Sequence, residues 1–337
     1  MRIFDTYTSV VIIGNGFDRN CGLKTSYKDV YKQYVLTSSR NVTIDKFKKE
    51  ISYRSDYWSD FELGMSKYAM TFDSEDGFIE CLEDFYLFMH HYLIDIQRSF
   101  HEEWKKTKTH NMAISSFTNS INNLGKGISH NIDEILNTNS ANIISNIGFI
   151  SLNYTDIFDT LLKSAYNGVF YHDPIHIHGV LGDDPILGMD RDDQLNIHFA
   201  ITDRLRRHFI KPFFNNEYDT SRIIMANDCI DQADYIFVYG ASLGESDLSW
   251  REKLLSWLCN NDDHHLFLYF YDNEEINSSS RATIIDYEND QKRSIISKWG
   301  LTPNEVPDKR LHLPCGIKLF KMEEALRSDI NRNNMRV

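Results

Sequence analysis

The 337 residues are 42% hydrophobic and 25% charged, an ordinary globular composition with room for one large domain or two modest ones. The net charge of −13 repels a phosphate backbone and argues against a general nucleic-acid binder. No apolar run approaches the roughly 18 residues of a membrane span.

The N-terminal MRIFDTYTS lacks the apolar stretch of a signal peptide, which predicts a cytoplasmic chain. The cysteines Cys21, Cys81, Cys229, Cys259 and Cys315 are scattered without a C-x-x-C pair, so they read as reduced thiols and not as a zinc or disulfide framework.

SVVII, from Ser9 to Ile13, has no polar alternation, the mark of a strand buried on both faces of a parallel sheet. It runs into Gly14-Asn15-Gly16, a turn through which backbone N–H groups approach a phosphate. The dinucleotide fingerprint G-x-G-x-x-G would need glycine where Arg19 stands, and an acid ending a second strand about 20 residues on. That interval holds KTSYKDVYKQYVL, which reads as helix, so hydride-transfer binding is disfavoured. Asp18 is out of place beside a phosphate and better suited to a cationic or hydroxyl-rich part of a ligand.

From Thr25 to Thr138 helical periodicity replaces strand signals. Ser26 with Asp29 resembles a capping box. Further on, Phe78, Leu82, Phe85, Met89, Leu93 and Ile96 form one apolar stripe. Residues 25–138 therefore read as a large helical insertion into an α/β domain made of 1–24 and 139–337. Its position suits a lid, an oligomer contact or a sensor surface, and equally plain scaffold packing. LNTNSANIISN, around Ser140, reads as a loop.

Strand signals return at Ile147 to Asn153, Gly168 to Gly179 (broken by Pro174), Asp234 to Ser242, His264 to Asp272 and, more weakly, Gly316 to Phe320. Helical stretches near Asp156–Ser164, Glu217–Gln232 and Asp247–Cys259 separate them. Alternation of this kind predicts a parallel, Rossmann-like α/β sheet whose ligands bind at the carboxyl ends of the strands. Arg204, Arg206, Arg207, His208 and Lys211 spread over more than one side of a helix and read as a solvated basic face.

Polar motifs sit at those strand ends. Asn153 closes one strand, with Thr155 or Asp156 placed to cap the next helix. His172, His176 and His178 follow; in a strand His176 and His178 share a face, which suits general-base work or two ligands on one metal. Gly240-Ala241-Ser242 offers backbone and hydroxyl groups to a ribose or phosphate, and Asp247 either caps a helix or accepts from ribose hydroxyls.

In order, these motifs resemble the sirtuin-like fold: a glycine turn, an Asn at a strand end, a His before Gly, and a G-x-S turn. GNGFD, GLKTSY, LNYTD, HIHG and YGASLGESD, with WSDFE from Trp58 to Glu62, are more specifically similar to the AbiH-type bacteriophage abortive-infection family. The resemblance implies NAD as ligand and substrate, in an antiphage effector that hydrolyses it to nicotinamide and ADP-ribose, with no metal. By the same resemblance Asn153 and His178 match the catalytic Asn and His. Gly14, Asn15 and Gly16 would hold the pyrophosphate, and Ser242 and Asp247 with Gly240 the adenosine side. Asp156 would orient Asn153 or a ribose hydroxyl. Asp18 stands where sirtuins carry Ser, Asn15 where they carry Ala, and the zinc cysteines of deacylases are absent. Expected partners are NAD, a further copy of the chain, and a phage or companion defence protein as trigger. Two other readings stay open: an NAD or ADP-ribose sensor without turnover, and a metal-dependent hydrolase using His176 and His178.

Overall fold

The computed structural model of the chain describes residues 9–54, 57–125, 147–166, 173–183, 185–218, 220–270, 281–307, 309–314 and 319–334. Within them lie six strands: β1 (Ser9–Ile13), β2 (Ile147–Ser151), β3 (Ile175–His176), β4 (Tyr235–Tyr239), β5 (His265–Tyr269) and β6 (Leu311–His312). All pair in parallel, in the order β3-β2-β1-β4-β5-β6. This is a Rossmann-like α/β sheet, and its strand order reverses between β1 and β4, where such sheets open a crevice for ligands.

SVVII is central because both its faces are covered. Val11 and Ile13 pack with Phe117, Phe149 and Phe158 on one side, while Val10 and Ile12 pack with Ile230, Leu254 and Trp257 on the other. Period-two alternation of side chains sends neighbours to opposite faces, so an unbroken apolar run is what a doubly covered strand requires.

The first face carries α1 (Gly16–Asn20), α6 (Asn111–Asn122), α7 (Ile157–Tyr166) and α13 (Met322–Asn334). The second carries α10 (Ser221–Gln232), α11 (Leu248–Asn260) and α12 (Arg281–Lys298). A third core belongs to α2 (Tyr27–Tyr34), α3 (Val42–Tyr53), α4 (Phe61–Tyr68) and the first half of α5 (Glu75–Lys106), with Trp58, Phe61 and Phe85 at its centre. The Phe61 and Phe85 rings stack with centroids 3.9 Å apart. Of the expected capping box at α2 one half forms: Ser26 Oγ accepts from the Asp29 amide at 3.2 Å, while the Asp29 carboxylate takes the Ser26 hydroxyl at 2.5 Å.

The helical insertion exists, but its packing departs from the expected span of 25–138. Ala113, Phe117 and Ile121 of α6 join the sheet's core, and so does Phe100 near the end of α5. In return Leu187, Met189, Leu205 and Phe209, from the segment after β3 and from α8 (Asp203–Phe209), join the insertion's core. Thirty-two residues carry α5 about 48 Å, long enough to contribute to both.

Two strand expectations are altered. The run to Gly179 yields only Ile175–His176, and its residues 168–172 lie outside the described residues. Of the weak strand Gly316–Phe320, residues 316–318 lie outside too, while Leu319 and Phe320 are irregular, with Phe320 at φ +53°. The loop around Ser140, His172, Cys315 and Asp272 also fall outside the described residues. Among the described residues no helix is long and apolar enough to cross a membrane.

Candidate functional site

The glycine turns after β1 and β4 meet at the point where strand order reverses. The Gly14 amide donates to Tyr239 O at 2.9 Å and the Gly16 amide to Gly240 O at 2.8 Å. A Cβ on Gly14 would lie 2.6 Å from Ala241 Cβ, and one on Gly240, at φ +69°, 2.6 Å from Gly16 Cα. These glycines let two backbones touch. The expectation that Gly14 and Gly16 cradle a pyrophosphate with their amides is therefore corrected: both amides are committed to the β4 turn. Asn15 fixes the next segment, donating from Nδ2 to Thr25 O at 3.0 Å and accepting from Thr25 Oγ1 at 2.5 Å.

A cleft of about 460 Å³ opens there. Gly14, Asn15, Gly16, Asp18, Asn153, His178, Gly240, Ser242 and Asp247 all line it. Asp156, expected to orient Asn153, does not: its carboxylate meets His101 Nε2 at 2.7 Å and its amide donates to Gln97 Oε1 at 3.0 Å, tying β2's end to α5.

Asp18 takes the part expected of Asp156. It is 1% exposed and accepts from Asn153 Nδ2 at 3.1 Å and from Thr155 Oγ1 at 2.5 Å. Burial pushes its carboxyl up to about 7, against those two hydrogen bonds and the attraction of His176. Asn153 lines the cleft with its amide nitrogen held by Asp18, and its buried Oδ1 has no hydrogen-bond partner.

His176 and His178 do not share a face. The strand stops at His176, and a turn through Gly179, at φ +76°, redirects the chain. His176 engages Asn153 O at 3.1 Å through Nδ1 and the Asp159 carboxylate at 3.1 Å through Nε2, so both its ring nitrogens are occupied. His178 lines the cleft instead. Its Nε2 sits 3.3 Å from Asp247 Oδ1, out of alignment for a hydrogen bond, and is buried without a partner. The paired-ligand geometry fails on these contacts, and no group of three His, Cys, Asp or Glu among the described residues could hold a metal ion.

Lys211 sets the charge around His178. Read from sequence as part of a basic surface, it is buried, donating to Ser246 O at 2.5 Å and Asp247 Oδ1 at 3.0 Å. Its neighbours in that cluster do lie outside, paired with acids: Arg204 with Asp76, Arg206 with Asp192, Arg207 with Glu217 and His208 with Glu83. Burial and the Lys211 ammonium press His178 down to about 4, against the pull of Asp247. Burial would raise Asp247, but Lys211 and His178 outweigh it and hold the carboxylate low. The Asp247 side chain makes no cap on α11, so its capping role is set aside. It lines the same cleft as Gly240 and Ser242, beside His178.

The insertion reaches this cleft through Tyr27, Ser59, Asp60 and Glu62. Asp60 caps α4 by accepting from the Leu63 amide at 2.9 Å and takes Ser246 Oγ at 2.9 Å. Glu62 accepts from the Tyr27 hydroxyl at 2.9 Å, and burial together with Asp60 raises it to about 8.

The site thus presents two buried acceptors without donors, Asn153 Oδ1 and neutral His178 Nε2, with the Asp247 carboxylate alongside. Only a hydrogen-bond donor satisfies such a set: a water, or a hydroxyl of a ligand. A neutral imidazole with a bare nitrogen is competent as a general base. A family model described as "Bacteriophage abortive infection AbiH" matches residues 10–295, which include every residue of this cleft. Comparison with curated proteins gave no match.

Proposed function

The chain belongs to the bacteriophage abortive infection family AbiH, and from that premise we propose that its cleft hydrolyses NAD to nicotinamide and ADP-ribose. A role in abortive infection comes with the family; the chemistry is read from the site. The observation that carries it is the pair of unpartnered acceptors, Asn153 Oδ1 and His178 Nε2, at the reversal point of a parallel sheet.

In this reading the C1′–N bond of the nicotinamide ribose breaks and its electron pair neutralises the pyridinium nitrogen, so the leaving group needs little acid help. Water adds its oxygen to C1′ and gives a proton to His178 Nε2. Asn153 Oδ1 accepts from that water or from a ribose hydroxyl, and Asp18 and Thr155 keep the amide so turned. The transition state is oxocarbenium-like and is favoured by nearby carboxylates. The order of the motifs and the Asn–His pair support grouping the site with sirtuin-like NAD sites. Gly240 and Ser242 remain the residues for the far half of the dinucleotide. NAD is here the substrate, and infection supplies the trigger that licenses its loss.

The test is nicotinamide release from NAD by the purified chain, alone and with phage lysate. Asn153→Ala and His178→Ala are expected to lose at least about 100-fold in rate with the fold intact by thermal melting. Release at the unaltered rate by both variants overturns the assignment. Binding of NAD with no release under either condition makes the chain a sensor. Loss of activity on chelation returns the metal-dependent reading.

A further inference from the structure

The cleft holds four acids, and three are engaged. Asp18 holds Asn153 and Thr155. Asp247 pairs with Lys211. Asp60 caps α4 and takes the Ser246 hydroxyl. Glu62 differs: it is 5% exposed, and the side chain that reaches it is a neutral one, Tyr27. Lys211, whose charge it feels, is already taken up by Asp247. A carboxyl kept this dry without an ion-pair partner disfavours its own charge, and such a site gains when a cation is brought beside it. A ligand is independently indicated by Asn153, 5% exposed, which lines the same cleft and whose buried Oδ1 has no partner.

We propose that Glu62, delivered to the cleft by the helical insertion, faces the positive charge of the ligand, an N-ribosylated pyridinium, and stabilises that charge as it passes to the ribose. The inference rests on the NAD reading of the cleft. Before the ligand enters, burial keeps the carboxyl largely protonated near neutrality. The entering cation favours the anion, and the proton leaves to solvent. When the C1′–N bond breaks, its electron pair goes to the ring nitrogen and the positive charge moves to C1′ and the ring oxygen. Glu62 then opposes a charge that has shifted by little more than one bond. The insertion in this view is a wall of the site and the source of its selectivity between charged and neutral nicotinamide rings.

The experiment compares NAD⁺ with NADH, which differ in that charge, by calorimetric titration of the full chain carrying His178→Ala to suppress turnover. With Glu62 present, NAD⁺ should bind about tenfold tighter than NADH, the scale of one charge pair in a partly buried site. Adding Glu62→Gln, which keeps an acceptor for Tyr27, should bring the two within about twofold while leaving NADH affinity unchanged. If the Gln variant melts early, Glu62→Ala gives the same comparison. Equal binding of the two dinucleotides, or a preference that survives loss of Glu62, overturns the inference. If neither binds, the inference and the NAD reading fall together. If the preference is present but the unaltered chain releases no nicotinamide, hydrolysis falls and the role of Glu62 in binding stands.

Discussion

Asp18 and His178 both depart from what their neighbours in sequence imply. An acid beside a glycine turn is repulsive toward phosphate, and no turn pattern explains Asp18. The structure gives it a partner 135 residues away, the amide of Asn153. Nothing in either motif records that pairing, because it arises only when β1 and β2 lie side by side in register. His178 is the reverse case: HIHG is visible, but the ammonium that tunes it is Lys211, hidden in a basic stretch whose other members face solvent. The consequence is a pH dependence. With His178 held at about 4, the imidazole is neutral through the physiological range. The acid limb of nicotinamide release should therefore lie near pH 4, well below the 6.5 of an ordinary histidine. Glu62, raised to about 8, gives up its proton when the cation binds, so the His178 limb is to be read at saturating NAD. The folded state's preference for neutral His178 contributes stability above pH 6.5 that is lost as pH falls toward 4. Lys211→Gln removes the ammonium and leaves burial and Asp247, so the limb should move up from about 4 toward the ordinary histidine value. A limb that stays in place would remove Lys211 from the account.

The elements were legible wherever burial on both faces leaves an unbroken apolar run. β1 matches its expected span, and β2, β4 and β5 begin within a residue of theirs. β6 and most of the β3 run were not legible: an edge strand two residues long leaves no pattern to read, and Pro174 cannot donate to a ladder. The glycines were legible as a turn, and their purpose was not. Phosphate binding asks for free amides; close packing asks for absent Cβ atoms. Gly14 satisfies the second demand, since a methyl there would press on Ala241 Cβ and Gly240 O at 2.6 and 2.7 Å. Gly14→Ala should destabilise by about 1–3 kcal/mol, the usual cost of overpacking, read as a lower midpoint in urea. Gly77→Ala provides the contrast. Gly77 sits in α5 with Phe72 no closer than 3.7 Å to the added methyl, so the change should stabilise by about 0.5–1 kcal/mol. A Gly14→Ala chain as stable as the parent would mean that the two turns can separate, and would restore a ligand-binding purpose to the glycine.

At the scale of the molecule, the exchange of segments between cores matters more than the boundary of the insertion. In sequence the stripe from Phe78 to Ile96 reads as insertion. Its helix continues into the sheet's core at Phe100, and α6 follows it there. Segments far apart in the chain therefore stabilise each other, which no local pattern could reveal. Asp329 is the clearest joint. It lies in the C-terminal α13, is 2% exposed, and accepts from the Met112 and Ala113 amides at 3.1 and 2.9 Å, capping α6 from outside its own sequence. Unsatisfied first-turn amides in a buried setting are costly. Asp329→Ala should lower stability by about 1–2 kcal/mol, the scale of a lost N-cap. Because α5 spans both cores, that loss should be shared. Far-UV ellipticity and amide hydrogen exchange of α2 to α4, in the insertion's core, should shift to lower denaturant together, in one transition. Two separated transitions would show that the insertion folds on its own and that the interlocking of cores does not couple it to the sheet. Asp329 does not line the cleft, so the folded variant should keep the parent's nicotinamide release. That separates the joint's part in stability from the cleft's part in chemistry.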